Sequence, residues 1–321
     1  MPRRLSSLLM SRVFILRSFL LLLLYSPLLT LADTNKVLVV TNSDQALHQY
    51  FIAQMQDNLS ALGADNIRLS FITLNQWHAD TASHYPLTLA LGNKATLLLS
   101  QHRQSRPVLF SLVPSTTYQR IMTVTKNCPD NLCSAIYIDQ PLKRTLQLVR
   151  LAFPQLRTAG FLNSQDSKVN INQLKSIAAT QDIKIEHQHV TDIDNLVFNL
   201  RDILKKSDAL LSLPDPGIYS RHTVQNILLT AYHYRKPVIG YSRAFVRAGA
   251  LFAVYSTPSQ LAQQAAETVA QFFASGKGKL PPPQYPRYFS VSVNNRVAKS
   301  LGINLENESA LQKKLEALTH E

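Results

Sequence analysis

The strongest constraint on the fold lies in residues 207–256, SDALLSLPDPGIYSRHTVQNILLTAYHYRKPVIGYSRAFVRAGALFAVYS. A short apolar run at 209–213 is broken by Pro214, Asp215, Pro216 and Gly217. Val224, Ile227, Leu228 and Ala231 then recur at spacings of three and four, the period of an amphipathic helix. Lys236 and Pro237 stop that helix, and Val238, Ile239, Gly240 and Tyr241 restart an apolar run. Strand, polar loop, helix, proline stop and strand make a βαβ unit, which requires a parallel sheet. Ligands of such sheets sit beyond the carboxyl ends of the strands. Asp215 and Tyr241 stand at those ends.

The same unit recurs along the chain. The β-branched run at 36–41 reads as a buried parallel strand, followed by a helix that Ser43 and Asp44 can cap. Leu47, Tyr50, Phe51, Met55, Leu59 and Leu62 keep helical spacing, and Gly63 ends the helix. Strands follow at 67–74, 87–91 and 108–112, with Gly92, Asn93 and Lys94 opening a helix between the last two. Residues 118–133 read as irregular, and 135–138 as a further strand. Pro141 opens a helix in its first turn, and the alternation restarts: strand 158–162, helix 168–180, strand 183–190, helix 192–205. These repeats predict an α/β chain of two doubly wound parallel-sheet lobes. Beyond Tyr255 come a helix at 258–273, a Gly/Lys/Pro connector at 276–286, an alternating strand at 287–293, a helix that Asn294 caps and a helix-prone tail. With 321 residues, the chain is long enough for two cores of ordinary size.

Residues 1–32 carry Arg3, Arg4, Arg12 and Arg17 ahead of an apolar run and a Thr-Leu-Ala site before Asp33. This is the pattern of a cleaved export signal, and it places the remainder in the periplasm. The apolar run is short and Pro27 interrupts it, which argues against an uncleaved anchor. Loss of those four arginines lowers the formal net charge from +13 to +9. The remaining basic residues are dispersed, without a block of like charge interleaved with aromatics, so no nucleic-acid partner is expected. Cys128 and Cys133 sit in a Pro/Asp/Asn loop. In an exported chain they read as a local disulfide, the CxxC spacing of a redox centre being absent.

Signal segment, two lobes and late extra crossings resemble an ABC transporter substrate-binding protein of the type I periplasmic fold, in the group that includes binders of tryptophan and other aromatic amino acids. The resemblance rests on SDALLSLPDPGIYS through RKPVIGYSRAFVRAGALFAVYS, on PQYPRYFSVSVNNRVAKSLGINL and on ALGNKATLLLS. It implies three hinge crossings, near Asp139, near Ser256 and within 276–286. Residues 33–138 with 257–280 would form the first lobe, and 139–256 with 281–321 the second. It also implies a monomer that closes on a small solute and serves an inner-membrane ABC permease. A ligand-sensing protein reporting to a membrane partner is the alternative. The family's acidic or Ser-Asp motif after the fourth strand is here Val113-Pro-Ser-Thr, and its Thr-Asp-Asn is here Leu213-Pro-Asp-Pro, so the solute is left open.

Several strand tips are candidate ligand contacts. Gly92, Asn93 and Lys94 open a helix whose amide groups favour an anion; an ordinary capping turn is the plainer reading. Ser115 and Thr116 offer hydroxyls at the next tip, or serve as turn residues. Asp139, Asn163 and Asp215 end strands of the second half and would suit an ammonium, or cap helices as such residues commonly do. Tyr241 can stack on a planar solute, and Asn42 with Ser43 closes the first strand. Tyr219 is an alternative to Tyr241 for that stacking. The nine histidines are scattered, which predicts no metal site, and His48 reads as a capping or surface residue. Neither GxSxG, Walker A, HExxH nor GxGxxG occurs, so no catalysis and no cofactor are expected.

Overall fold

The computed structural model describes residues 35–42, 46–129 and 132–319. Residues 1–32, expected to be an export signal, and Ser43, an expected ligand contact, lie outside them. No helix among the described residues is long and apolar enough to cross a membrane.

Two sheets organise the chain. The first holds β1 (Lys36–Thr41), β2 (Arg68–Thr73), β3 (Leu87–Leu91), β4 (Val108–Val113) and β5 (Cys133–Tyr137), all parallel, in the order β2-β1-β3-β4-β5. The second holds β6 (Thr158–Ser164), β7 (Lys184–Val190), β8 (Ala209–Leu211), β9 (Val238–Gly240), β10 (Phe252–Tyr255) and β11 (Ser290–Val293), in the order β11-β10-β9-β8-β6-β7. β11 runs antiparallel on the edge. The other five repeat the order of the first sheet. Chain direction across each sheet therefore reverses once, between β1 and β3 and between β6 and β8. Such reversal points open crevices at the carboxyl ends of the strands.

The helices are α1 (Ala46–Ala61), α2 (Ala79–Ser83), α3 (Gly92–Ser100), α4 (Ser115–Thr125), α5 (Leu142–Ala152), α6 (Ile171–Ala179) and α7 (Leu196–Lys205). After them come α8 (Val224–His233), α9 (Arg243–Ala248), α10 (Pro258–Ala274), α11 (Asn295–Leu301) and α12 (Glu308–Thr319). β3 and β4 are buried along their whole length because both faces are covered. One face of the first sheet packs Phe51, Ile52 and Met55 of α1 and Leu261, Ala265, Val269 and Phe272 of α10. The chain thus returns to its first sheet after building nearly all of the second. In the second sheet, α5, α6, α11 and α12 cover one face, and α7, α8 and α9 the other.

Two sequence expectations are corrected. Residues 118–125, expected to be irregular, belong to α4. Its Thr-rich composition has weak helix propensity, but Tyr118 and Ile121 are buried on one face and this packing decides the matter. Lys126, at φ +51°, ends the helix in the left-handed region. Leu47, Tyr50 and Leu62 keep helical spacing yet lie exposed, and His48 takes the buried face instead. Cys128 is joined to Cys133 by a disulfide, with their Cα atoms 5.8 Å apart.

The halves are joined at three adjacent crossings. The first leaves the carboxyl end of β5, the second leaves the carboxyl end of β10, and the third follows α10. Gln284 on the third still pairs with the first sheet, its N–H bonding Ala135 O and its carbonyl accepting from Tyr137 N. Gln140 Nε2 donates to Ser256 Oγ at 2.8 Å, and Ser256 Oγ donates to Tyr288 O at 2.6 Å. Arg144 Nη1 bonds both Gln140 Oε1 and Pro286 O, with the guanidinium 4.3 Å from the Phe289 ring centroid. Burial draws that guanidinium down to about 10. Gln264, fully buried, accepts from Arg287 N at 2.8 Å. All three crossings are thereby tied in one polar network. Because two of them start from strand carboxyl ends, those ends of both sheets lie toward the hinge.

Candidate functional site

The reversal point of the first sheet is built from β1, α1 and β3. Thr41 Oγ1 and His48 Nδ1 share a hydrogen bond of 2.6 Å, its direction set by the ring tautomer. His48 is only 4% exposed, and burial lowers its pKa below the ordinary value. A methyl on Gly92 would lie 3.1 Å from the imidazole, and Gly92 takes φ +83°. Glycine is therefore required on two counts: backbone conformation and the closeness of the ring. Gly92 begins α3, whose preceding residue, Leu91, offers no side-chain cap. Asn93 and Lys94 are exposed beside these amide groups, and Asn42 is half-buried next to Thr41.

Next to it, Ser115 opens α4. Its N–H and its hydroxyl each donate to Asp139 at 2.6 Å, one to each carboxylate oxygen. Burial pushes the Asp139 carboxyl above its ordinary pKa, and the two serine bonds hold that rise back. Tyr285, from the third crossing, donates weakly to Ser115 Oγ at 3.4 Å and packs edge-on against Tyr137. Thr116 is half-buried one residue on.

The second sheet repeats this clasp at its own reversal point. Ser164 N–H and Oγ donate to the two oxygens of Asp215 at 2.8 and 2.7 Å, and Gly217 N–H adds a third bond. Asp215 is 4% exposed. Its carboxylate ties the β6 loop to the β8 loop, with both oxygens engaged by backbone and serine. Asn163 Oδ1 accepts from His187 Nε2 at 2.5 Å and His189 Nδ1 at 3.4 Å, which holds the amide toward edge strand β7. Burial lowers the His187 pKa. Tyr241 stands apart from this group, packed edge-on with Tyr219 and tilted against Phe245. The Tyr219 hydroxyl and Ser212 Oγ lie near one another, but neither completes a hydrogen bond of good geometry.

The structure thus gathers Asn42, Gly92, Asn93 and Lys94 at one tip, Ser115, Thr116 and Asp139 at the next, and Asn163 with Asp215 across the hinge; Asp139, expected to end a strand of the second half, instead follows β5 of the first sheet, where its carboxylate binds Ser115. His48, Ser164 and Tyr285 join them without having been singled out as ligand contacts. For His48 a signal was present: it shares the i, i+3, i+4, i+7 stripe of Phe51, Ile52 and Met55. Ser164 and Tyr285 had none, since their partners are 51 and 170 residues distant. Among the described residues, no three His, Cys, Asp or Glu side chains are grouped to hold a metal ion.

A family model described as ABC transporter substrate binding protein matches residues 70–316. No curated protein matches the chain. Among solved structures, the ABC domain from Streptococcus pneumonia in complex with L-Trp is 18% identical, with 87% of this chain and 98% of that one covered and a TM-score of 0.59. The ligand-free, open structure of CD0873 from Clostridium difficile, a substrate binding protein with adhesive properties, is 16% identical, with 85% and 96% covered and a TM-score of 0.69. A conserved domain protein from Vibrio cholerae is 17% identical, with 87% and 98% covered and a TM-score of 0.57.

Proposed function

Since the chain belongs to the ABC transporter substrate-binding protein family, we propose that it is an exported, monomeric receptor that closes its lobes on a small carboxylate-bearing solute, such as an amino acid, and delivers it to an inner-membrane ABC permease. The reading is carried by one observation: the reversal points of both sheets open at the strand ends that lie toward the hinge. Polar groups gather at both, so hinge closure would bury a polar solute between them. The amide groups at the start of α3, with Lys94 beside them, favour a carboxylate. At the neighbouring tip, Thr116 and Tyr285 would add polar and aromatic contacts. The Asp139 and Asp215 carboxylates support the site as clasps for its loops, since serine donors occupy their oxygens. The solute of the Streptococcus pneumonia neighbour, L-Trp, makes aromatic amino acids the first compounds to test.

Thermal-shift measurements with amino acids, other small carboxylates and nucleosides test the reading, together with mass spectrometry of co-purified solute. A carboxylate-bearing solute should raise the melting temperature, and Lys94→Ala should weaken its binding by up to about fivefold, as for an exposed ion pair. If no carboxylate stabilises the chain while a cation or an uncharged sugar does, this choice of solute is wrong.

A further inference from the structure

A cavity of about 730 Å³ opens on the second lobe between α8, α9 and α11. It is not the crevice at the reversal points. From Tyr219 and Tyr241 it follows α8 past Leu228 to Tyr232 and reaches Val297 of α11. That helix follows β11, whose last residue, Val293, pairs with Phe252 at the start of β10. The cavity therefore extends from the strand tips toward the opposite end of the sheet, along the outside of the lobe.

Its walls have a definite chemistry. Tyr219, Tyr241 and Phe245 form one cluster of rings with centroids 5.2 to 6.0 Å apart, an aromatic floor of rings tilted by 59–64° to one another. Leu229 and Tyr232, both lining the cavity, leave about half of their surface in water. A cavity of this volume, apolar with a few polar groups, suits a small molecule. The charge around it has one sign. No lining residue carries a carboxylate, Arg221 lines the wall, and there is no Asp or Glu anywhere between Asp215 and Glu267. Arg243 and Arg247 on α9, and Arg296 and Lys299 on α11, add positive charge on two of the three enclosing helices.

We propose that this cavity is a second binding site, for a small amphiphile with a flat or linear apolar body and a single anionic head. The apolar body lies on the ring floor against Leu228 and Leu229, and the head meets Arg221. Occupancy removes the exposed faces of Leu229 and Tyr232 from water, which supplies the driving force. The site does not depend on what binds between the lobes.

The probe for the test is 8-anilinonaphthalene-1-sulfonate, an apolar ring pair with one sulfonate, with neutral N-phenyl-1-naphthylamine as its uncharged counterpart, each titrated into the folded full chain by fluorescence. Saturable binding of one equivalent of the sulfonate is expected. Ala248→Trp, filling the cavity from an exposed helix position, should weaken both probes by about tenfold or more. Arg221→Gln should weaken the sulfonate by up to about fivefold and leave the neutral probe unchanged. Leu229→Glu and Leu229→Lys, at a position exposed enough to tolerate either, should shift sulfonate binding in opposite directions. Four results would overturn the proposal: binding indifferent to Ala248→Trp, equal effects of the two Leu229 variants, binding of anionic vesicles but not of the free sulfonate, or displacement of the probe by a solute that binds between the lobes. A failed search for that solute would leave the probe titration unaffected, so the two readings fail separately.

Discussion

Gly92 and His48 occupy one small volume and constrain each other. Gly92→Ala should destabilise the protein by about 1–2 kcal/mol through the left-handed backbone alone, measured by denaturant unfolding. The contact with the ring adds to this, so in a His48→Ala background the cost should shrink toward the backbone part, a coupling that a double-mutant cycle reads directly. His48 also makes stability depend on pH. Its folded pKa lies below the unfolded one, so its contribution is present above the ordinary histidine range and is lost as pH falls through it toward the folded value. The melting temperature of the wild type should therefore drop more than that of His48→Gln between neutral and mildly acid pH. His187 acts in the same direction and remains in both proteins. At this scale the sequence was only partly legible. Asp215 could be assigned to a strand tip from its place after an apolar run, but its partner Ser164 could not, because nothing in local spacing joins two loops 51 residues apart.

The elements were far easier to read. Parallel strands buried on both faces appear as unbroken apolar runs, and prolines and glycines mark where they stop. Asn294 caps α11 as its position predicts, accepting from Val297 N, and Gly302 ends that helix with φ +72°. The reading failed at α4, where propensity and packing disagree and tertiary burial of Tyr118 and Ile121 wins. It also failed on the solvent side of α1. An aliphatic residue at helical spacing marks a buried face only when a neighbour covers it, and the neighbour here, α10, comes some two hundred residues later. Near α4 the Cys128–Cys133 bond closes a short loop before β5. Replacing both cysteines by serine should cost about 2 kcal/mol on loop-entropy grounds. Calorimetry should show that loss with the far-UV spectrum of the folded state unchanged.

Across the whole molecule, the three crossings act as one unit because side chains connect them. Ser256 Oγ accepts from the first crossing and donates to the third. Ser256→Ala removes both bonds and should cost about 1–2 kcal/mol. Hydrogen exchange should quicken at residues 138–141, 255–257 and 285–289 and stay unchanged within β1 and β6. Uniform acceleration along the chain would instead mean that the crossings have no separate stability. The return of α10 to the first sheet has a further consequence, for biosynthesis. While the ribosome is still adding residues 139–257, the face of the first sheet that holds Phe51 and Met55 has no lid, for want of Leu261, Ala265, Val269 and Phe272. The earlier-made half thus cannot close its core until α10 has been synthesised. That wiring alone keeps the growing chain pliant, and its two halves reach their final form almost together.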